Sequence, residues 1–313
     1  MQRTVLLALL AASSAGAAAI TPTYSGSYSF FDLGPVPGLV GNYGGEIFKA
    51  GDPNTLLIGA NSSNPTAQID SIGLVRDANG HITGFNGSAA FFASAPGNTG
   101  SFAYGPGGVL FYADAFHQQI GEILPGSTSP DKSVASPVIL TPSSVAYIPN
   151  GHPGAGTFLS ADSDGLVCSS TLSADGSGTF NLSACTATAN LGSYNRGLAF
   201  VPAGSPLFAA NSMLVGSSPA QVYVGAYTVD SNGLPVPTFN QFVDGLQGEA
   251  EGGVFDPVTG DYLFTNDYGP NFRIFEVRGF AAPVSGVPEP GTLGLGALCL
   301  GSLLLRKRRL ERE

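Results

Sequence analysis

The sequence predicts an all-β protein, and three observations carry that prediction. Glycine and proline, which interrupt helices and favour turns, account for 44 and 23 of the 313 residues. Only 11% of the residues are charged, whereas 43% are hydrophobic and aromatic side chains are spread along the chain, which is enough apolar surface to build a core. The third observation is a self-similar segment that recurs through the body of the chain.

This repeat is clearest in residues 197–211 and 252–267. Each copy contains an apolar strand, an aromatic residue two positions before a proline, a glycine turn, a second apolar strand, and an Asn or Asp expected where that strand ends. Looser copies lie near residues 46–53, 101–114 and 144–149. Successive equivalent prolines are 53, 43, 53 and 55 residues apart, and they are Pro53, Pro106, Pro149, Pro202 and Pro257.

These separations suit a four-stranded unit rather than a two-helix repeat. After the second strand of each copy comes a segment of alternating apolar residues, such as 221–229 or 272–277, and a turn then leads to a further strand. Four strands in this order form one propeller blade. We therefore predict that residues 20–286 form a β-propeller of five four-stranded blades, with residues 24–33 completing the last sheet. A sixth blade split between the termini, and a β-sandwich with similar turn spacing, remain as alternatives.

Both ends of the chain predict export. Arg3 precedes an apolar stretch at residues 5–12, and three alanines at 17–19 supply the small residues that a signal peptidase needs. Residues 1–19 are therefore expected to be a signal peptide that is cleaved after Ala19. A buried N-terminal helix is the alternative, but Pro22 and the Ser/Tyr/Gly-rich segment around it would stop such a helix.

The C-terminal tail, residues 287–313, has three parts. A short motif precedes an uncharged apolar run at 292–305, which is shorter than the ~20 residues of a usual membrane span. A basic cluster at 306–309 follows, and such clusters stay on the cytoplasmic side. The motif is Val287, Pro288, Glu289 and Pro290.

This tail resembles the PEP-CTERM sorting signal of Gram-negative bacteria, which an exosortase processes. The resemblance implies that the apolar run anchors the chain transiently in the membrane as a transmembrane helix. It also implies cleavage near the motif and delivery to the cell surface or an exopolysaccharide matrix. A generic single-pass anchor is the alternative, and it leaves the motif of residues 287–290 unexplained.

The predicted body, residues 20–286, carries 19 acidic and 6 basic side chains. So acidic a surface cannot neutralise phosphates, which disfavours binding to nucleic acid and to anionic lipid. Divalent cations, neutral or cationic glycans and other surface proteins are the better partners.

Cys168 and Cys185 are the only thiols in the predicted body. In an oxidising compartment they are expected to form a disulfide, which would contribute on the order of 3 kcal/mol by the chain-entropy model. Two unpaired buried thiols are the alternative.

The repeated phrase resembles that of the NHL and SMP-30/gluconolactonase-like propellers over residues 44–280. In SMP-30-like enzymes, Glu, Asn and Asp side chains from different blades hold a divalent metal on the propeller axis. The resemblance places Glu251 and Asn195 at such positions, together with Asp267 or Asn211. These oxygen ligands suit Ca²⁺, which is the one cofactor that the sequence suggests. The alternative for an Asn or Asp at a strand end is a turn cap, and this applies equally to Asn61, Asp114 and Asp162.

Other catalytic patterns are absent from the sequence. The three histidines, His81, His117 and His152, lack the spacing of a zinc site and are expected on loops. Neither a Gly-x-Ser-x-Gly elbow nor a phosphate-binding glycine loop is present. Two function classes remain: a non-catalytic propeller that binds glycan or protein, and an SMP-30-like metal-dependent hydrolase. The binding module is the leading hypothesis.

Overall fold

The computed structural model describes residues 18–218, 222–266 and 272–282, and these residues form five antiparallel blade sheets around one axis, together with a separate two-stranded hairpin. The chain is therefore a five-bladed β-propeller with four-stranded blades, as predicted. The helical element within the described residues is one 3-10 turn, Pro106–Gly108. None of these residues belongs to a helix with the length and apolar character needed to span a membrane. Most of the predicted signal peptide and the whole tail of residues 287–313 lie outside them.

Two short strands precede the first blade: β1 Ala19–Ile20 and β2 Ser29–Gly34. Blade 1 contains β3 Tyr43–Lys49, β4 Asp52–Ala60, β5 Gln68–Arg76 and β6 Ile82–Ser94. Blade 2 contains β7 Asn98–Tyr104, β8 Leu110–Asp114, β9 Gln119–Ile123 and β10 Lys132–Ala135. Blade 3 contains β11 Pro142–Tyr147, β12 Phe158–Asp162, β13 Leu166–Ser170, a hairpin of β14 Leu172–Ala174 and β15 Phe180–Leu182, and β16 Ala187–Asn190. Blade 4 contains β17 Tyr194–Phe200, β18 Ser212–Ser218, β19 Val224–Val229 and β20 Pro235–Asp244. Blade 5 contains β21 Ala250–Phe255, β22 Tyr262–Asn266 and β23 Arg273–Arg278.

The N-terminal strand β2 closes the ring. It pairs with β23, with Phe30 opposite Val277, and becomes the fourth strand of blade 5. Strand β1 adds a short outer strand to blade 4, with Ile20 opposite Val243. The expected N-terminal completion of the last sheet is confirmed. The N-terminal strands are used in blades 4 and 5, so no sixth blade forms from the described residues.

The apolar side chains lie between neighbouring blades, because each blade packs on two others and buries both of its faces. Each of the five interfaces has its own buried cluster. Between blades 2 and 3, for example, the rings of Phe111 and Phe158 lie 5.1 Å apart. Between blades 4 and 5, Tyr28 and Phe242 meet edge to face at 5.2 Å. Hydrophobic burial at these interfaces is the main source of stability.

The inner strands of the five blades, β3, β7, β11, β17 and β21, meet at the axis. Their backbones approach so closely that several positions admit only glycine. A Cβ atom on Gly45 would overlap with the carbonyl oxygen of Gly100, and one on Gly100 with that of Ser143. On the other side of the axis, a Cβ atom on Gly197 would overlap with the carbonyl oxygen of Gly252. Each inner strand also breaks its register with the second strand in this region.

The repeated prolines lie in or beside the connections between the first and second strands, but blade 4 departs from the predicted pattern. Its connection is a long loop, in which the Ser205 N–H donates to the Pro202 carbonyl oxygen at 3.2 Å. Proline cannot donate to a sheet ladder, and β18 begins only at Ser212. Asn211 therefore lies immediately before the second strand, and its predicted place at the end of that strand is wrong.

The glycine at 197 can be tested by substitution. We expect Gly197→Ala to destabilise the fold by about 1–3 kcal/mol, because the added methyl group must push β17 away from β21. Gly26→Ala is the control, because a Cβ atom at Gly26 meets no atom within 4 Å. Urea unfolding of the two variants and of the unaltered chain measures the change in the free energy of unfolding. Equal stability of the two variants would contradict the close approach.

Candidate functional site

The two ends of the propeller axis differ in their chemistry. The first residues of the inner strands include Arg196 and Glu251, which are charged, whereas the last residues include Tyr104 and Phe255, which are aromatic. We call these the N-terminal end and the C-terminal end of the axis. Either end can in principle bind a ligand, because residues from several blades converge there.

At the N-terminal end, Arg196 is held by groups from three blades. Its Nη1 donates to the carboxylate of Glu251 and to Thr99 Oγ1, the latter at 3.1 Å. Its Nη2 lies 3.0 Å from Glu249 Oε2. The guanidinium also lies over the ring of Tyr194, 4.3 Å from the centroid. The side chain of Glu251 is fully buried and those of Arg196 and Glu249 nearly so, which makes this a largely desolvated ion-pair cluster.

Asn195, next to this cluster, is fully buried. Its carbonyl oxygen accepts a hydrogen bond from Ser143 Oγ at 2.6 Å, which ties blade 3 to blade 4. Its side-chain Oδ1 and Nδ2 have no hydrogen-bond partner among the described protein groups. A buried amide without partners costs about 1–3 kcal/mol, so this position has the chemical means to bind a polar ligand or ion.

Glu46, on β3, is a second fully buried acid at the axis. Its Oε1 accepts a hydrogen bond from the Gly253 N–H at 2.8 Å. Burial raises the pKa of Glu46 well above its ordinary value, and the nearby Glu251 adds to this effect. The Glu46 carboxyl group is thereby favoured in its neutral form, in contrast to the ion-paired Glu251.

At the C-terminal end, the inner strands of all five blades line a depression of about 190 Å³. A larger depression of about 420 Å³ lies beside it, between blades 1 and 5. The two share part of their walls. The shared residues are Ile47, Tyr104, Val254 and Phe255, all partly exposed. Together the two depressions form a mostly apolar surface with aromatic groups, to which partly exposed Tyr147 contributes. Lys49 and Asp52 also line the larger depression.

The residues suggested as metal ligands are not all brought together. Asn195 and Glu251 both lie at the N-terminal end of the axis, on neighbouring inner strands. Asn211 precedes β18 and so lies towards the opposite end of blade 4. Asp267 lies outside the described residues, as do the motif residues Val287 to Pro290.

Two of the strand-end aspartates cap turns. Asp114 Oδ1 accepts hydrogen bonds from the N–H groups of Phe116 and His117. Asp162 Oδ1 likewise accepts from the N–H groups of Asp164 and Leu166. These contacts are those of an Asx turn, in which the side chain substitutes for backbone hydrogen bonding.

The sulfur atoms of Cys168 and Cys185 are bonded, with an S–S distance of 2.02 Å. Cys168 lies on β13 and Cys185 lies just before β16, the neighbouring outer strand of blade 3. The bond therefore fastens the end of the inserted hairpin of β14 and β15 to this blade.

Sequence reasoning missed the role of Arg196. The available signal was its position between Asn195 and Gly197, in a body with only six basic residues. Sequence reasoning also missed a cluster of His81 with Asp261 and Glu276 between blades 1 and 5. Separations of 180 and 195 residues leave no local pattern for such a cluster.

Similar solved structures are distant, and no protein-family model or curated protein matches the chain. A PQQ-bound aldose sugar dehydrogenase from Streptomyces coelicolor is 14% identical, with 79% of this chain and 83% of that chain covered, at a TM-score of 0.42. A structure assigned as a gluconolactonase is 13% identical, with 81% and 94% covered, at a TM-score of 0.42. Kuenenia stuttgartiensis hydrazine synthase is 14% identical over 75% of this chain, at a TM-score of 0.37, and the match spans 56% of that chain. At such low sequence identities and TM-scores, no residue role or activity can be transferred from these structures to this protein.

The contribution of Arg196 to stability can be tested by removing its charge from the buried acids that it pairs with. We expect Arg196→Met to lower the free energy of unfolding by about 3–5 kcal/mol, because Glu249 and Glu251 would stay in the buried cluster without this guanidinium. Arg273→Met is the control, since Arg273 and its partner Asp32 are 31% and 41% exposed, and it should cost no more than about 1 kcal/mol. Similar losses in the two variants, measured by urea unfolding, would contradict this account of the axis.

Proposed function

We propose that this chain is an exported β-propeller of the cell surface or extracellular matrix that binds neutral glycan, without catalysis, at the C-terminal end of its axis. The observation that carries the proposal is the aromatic depression to which all five blades contribute. A convergent, mostly apolar concavity with a few polar groups is the usual form of a small-ligand site.

The aromatic groups at this end suit sugar rings. Tyr104, Tyr147 and Phe255 are partly exposed, and the Tyr104 hydroxyl accepts a hydrogen bond from the Ala50 N–H at 3.1 Å. We expect the exposed parts of these side chains to contact the C–H faces of a pyranose. Tyrosine combines an apolar ring with a hydroxyl group that can exchange hydrogen bonds with sugar hydroxyls. The adjoining depression of about 420 Å³ gives room for a further sugar unit of a chain.

The charge of the protein favours a neutral ligand. The predicted body carries 19 acidic and 6 basic side chains, and this field repels anionic polysaccharides. For the same reason nucleic acid is not a proposed partner. A protein ligand at the same surface remains the other form of the binding hypothesis.

The predicted export and delivery to the cell surface or matrix agree with a glycan ligand. A signal peptidase would release residues 1–19, and an exosortase-type enzyme would process the tail of residues 287–313 after transient membrane anchoring. The disulfide between Cys168 and Cys185 suits an oxidising compartment outside the cytoplasm.

Glycan binding is tested with the purified full chain and soluble neutral oligosaccharides of glucan, galactan and mannan type, by titration calorimetry. We expect Tyr147→Ala and Phe255→Ala each to weaken binding tenfold or more, which is about 1.4 kcal/mol or more. Phe116→Ala is the matched control, because Phe116 is a 55% exposed aromatic residue after β8, towards the other end of the axis. Failure of every neutral oligosaccharide to bind, or an equal loss in the control, would rule the proposal out.

The second candidate is a metal-dependent SMP-30-like hydrolase of lactones or related esters, with its site at the N-terminal end. The partnerless amide of buried Asn195, on the strand next to Glu251, favours it. Against it, the carboxylate of Glu251 already pairs with Arg196, which supplies the positive charge that a metal would otherwise supply. Among the suggested residues that the structure describes, Asn195 and Glu251 are the two that lie at this end of the axis and could offer oxygen ligands to Ca²⁺.

Thermal unfolding with Ca²⁺ and with chelator separates the two candidates. Under the binding proposal we expect no Ca²⁺-dependent change in Tm. A saturating axial site would instead add about 2.7 kcal/mol at a Ca²⁺ concentration of 100 Kd, and Asn195→Ala would remove this gain. That result, together with lactone hydrolysis, would favour the hydrolase.

A further inference from the structure

A polar cluster lies between blades 1 and 5, away from the axis. It brings together His81 from the turn after β5, Asp261 just before β22, and Glu276 on β23. One ring nitrogen of His81 and one carboxylate oxygen from each acid all lie within 4.8 Å of one another. Asp261 and Glu276 are buried, whereas the side chain of His81 is 29% exposed and gives access from solvent.

His81 contacts Asp261 within the cluster, and Asp261 and Glu276 are each held in place by a further contact from outside it. His81 Nδ1 lies 2.5 Å from Asp261 Oδ2, and the Thr259 hydroxyl donates to the same oxygen at 2.7 Å. The Ile82 N–H donates to Glu276 Oε1 at 3.1 Å. Such contacts orient metal ligands before the ion arrives, and they are the usual outer shell of a protein metal site.

The charged groups around the cluster are compatible with a bound cation. Arg76 binds both carboxylate oxygens of Asp256, at 2.5 and 3.1 Å, and is fully engaged there. Arg278 Nε donates to Glu276 Oε2 at 2.7 Å. Arg76 and Arg278 thus pair with Asp256 and Glu276. Among the described residues, the contacts of the Asp261 carboxylate are with His81 and Thr259 and include no guanidinium group.

A buried carboxylate is stabilised by a nearby positive charge. A bound divalent ion would supply such a charge to both Asp261 and Glu276. It would also replace the His81–Asp261 hydrogen bond by two metal–ligand bonds.

We propose that His81, Asp261 and Glu276 form a binding site for a divalent transition-metal ion such as Zn²⁺, which joins the first blade to the last. One imidazole nitrogen and two carboxylate oxygens form a donor set that Zn²⁺ accepts, with a fourth position for water. Ca²⁺ prefers oxygen ligands only, so the histidine selects against it. The site is separate from the axis and does not depend on the function proposed above.

The direct test adds Zn²⁺ to the chelator-treated full chain. We expect saturable binding of one ion per chain by titration calorimetry and a rise in Tm, with no displacement by Ca²⁺. Co²⁺ in place of Zn²⁺ should give visible absorption bands that Zn²⁺ abolishes. Absence of saturable one-to-one binding would overturn the proposal and leave the cluster as hydrogen bonds between two blades.

Substitutions in and near the cluster test which residues bind the ion. We expect His81→Ala to weaken Zn²⁺ binding more than tenfold, and Thr259→Val, which loses only the contact that orients Asp261, to weaken it about 10–100-fold. His117→Ala is the matched control, because His117 Nδ1 also lies near a carboxylate, at 2.7 Å from Asp114 Oδ2, but on blade 2. Unchanged affinity in His81→Ala would place the ion elsewhere and overturn the proposal.

A measurement on the unaltered chain covers the case in which His81→Ala fails to fold. Co²⁺ should shift the ring-proton NMR signal of one of the three histidines, His81. Signals of the other two are assigned with His117→Gln and His152→Gln. A shift of either of those signals, or of none, would overturn the proposal.

Discussion

The close approach of five inner strands at the axis is the constraint on which this structure depends. At Gly45, Gly100 and Gly197 the carbonyl oxygen of a neighbouring inner strand occupies the space of a side chain. The blades can therefore pack tightly around the axis and bury both of their faces against each other. Where the inner strands approach most closely, five blades leave little space for side chains at the axis. Side chains with a chemical function therefore lie towards its two ends.

This arrangement gives the two ends different chemistry. At the N-terminal end, Arg196 connects acids of blade 5 with Thr99 of blade 2, and this desolvated ion pair holds the strands together across the axis. At the C-terminal end, the strands diverge into their connections and expose Tyr104, Tyr147 and Phe255 around a depression. The charged end suits internal pairing, whereas the aromatic end suits contact with an external ligand.

Closure of the ring imposes a second demand. Blade 5 takes its outer strand from the N-terminus, and blades 5 and 1 must then meet at a correct angle. Apolar contacts between these blades are supplemented by Arg76 with Asp256 and by His81 with Asp261. Polar contacts are directional, so they specify the relative position of two blades more narrowly than hydrophobic burial does. The proposed metal ion would act at the same interface.

The fold was predictable from sequence because it is repeated: five prolines at similar separations and alternating strands determine blades without reference to any long-range contact. The N-terminal completion of the last sheet followed from the same pattern. In blade 4 the predicted position of Asn211 was wrong, because the local sequence resembles the other copies although the connection there is a longer loop. Only the tertiary structure decided which side chains meet, because Arg196 with Glu251 and His81 with Asp261 come from different blades. Sequence periodicity encodes contacts within a blade, whereas contacts between blades depend on how the ring closes.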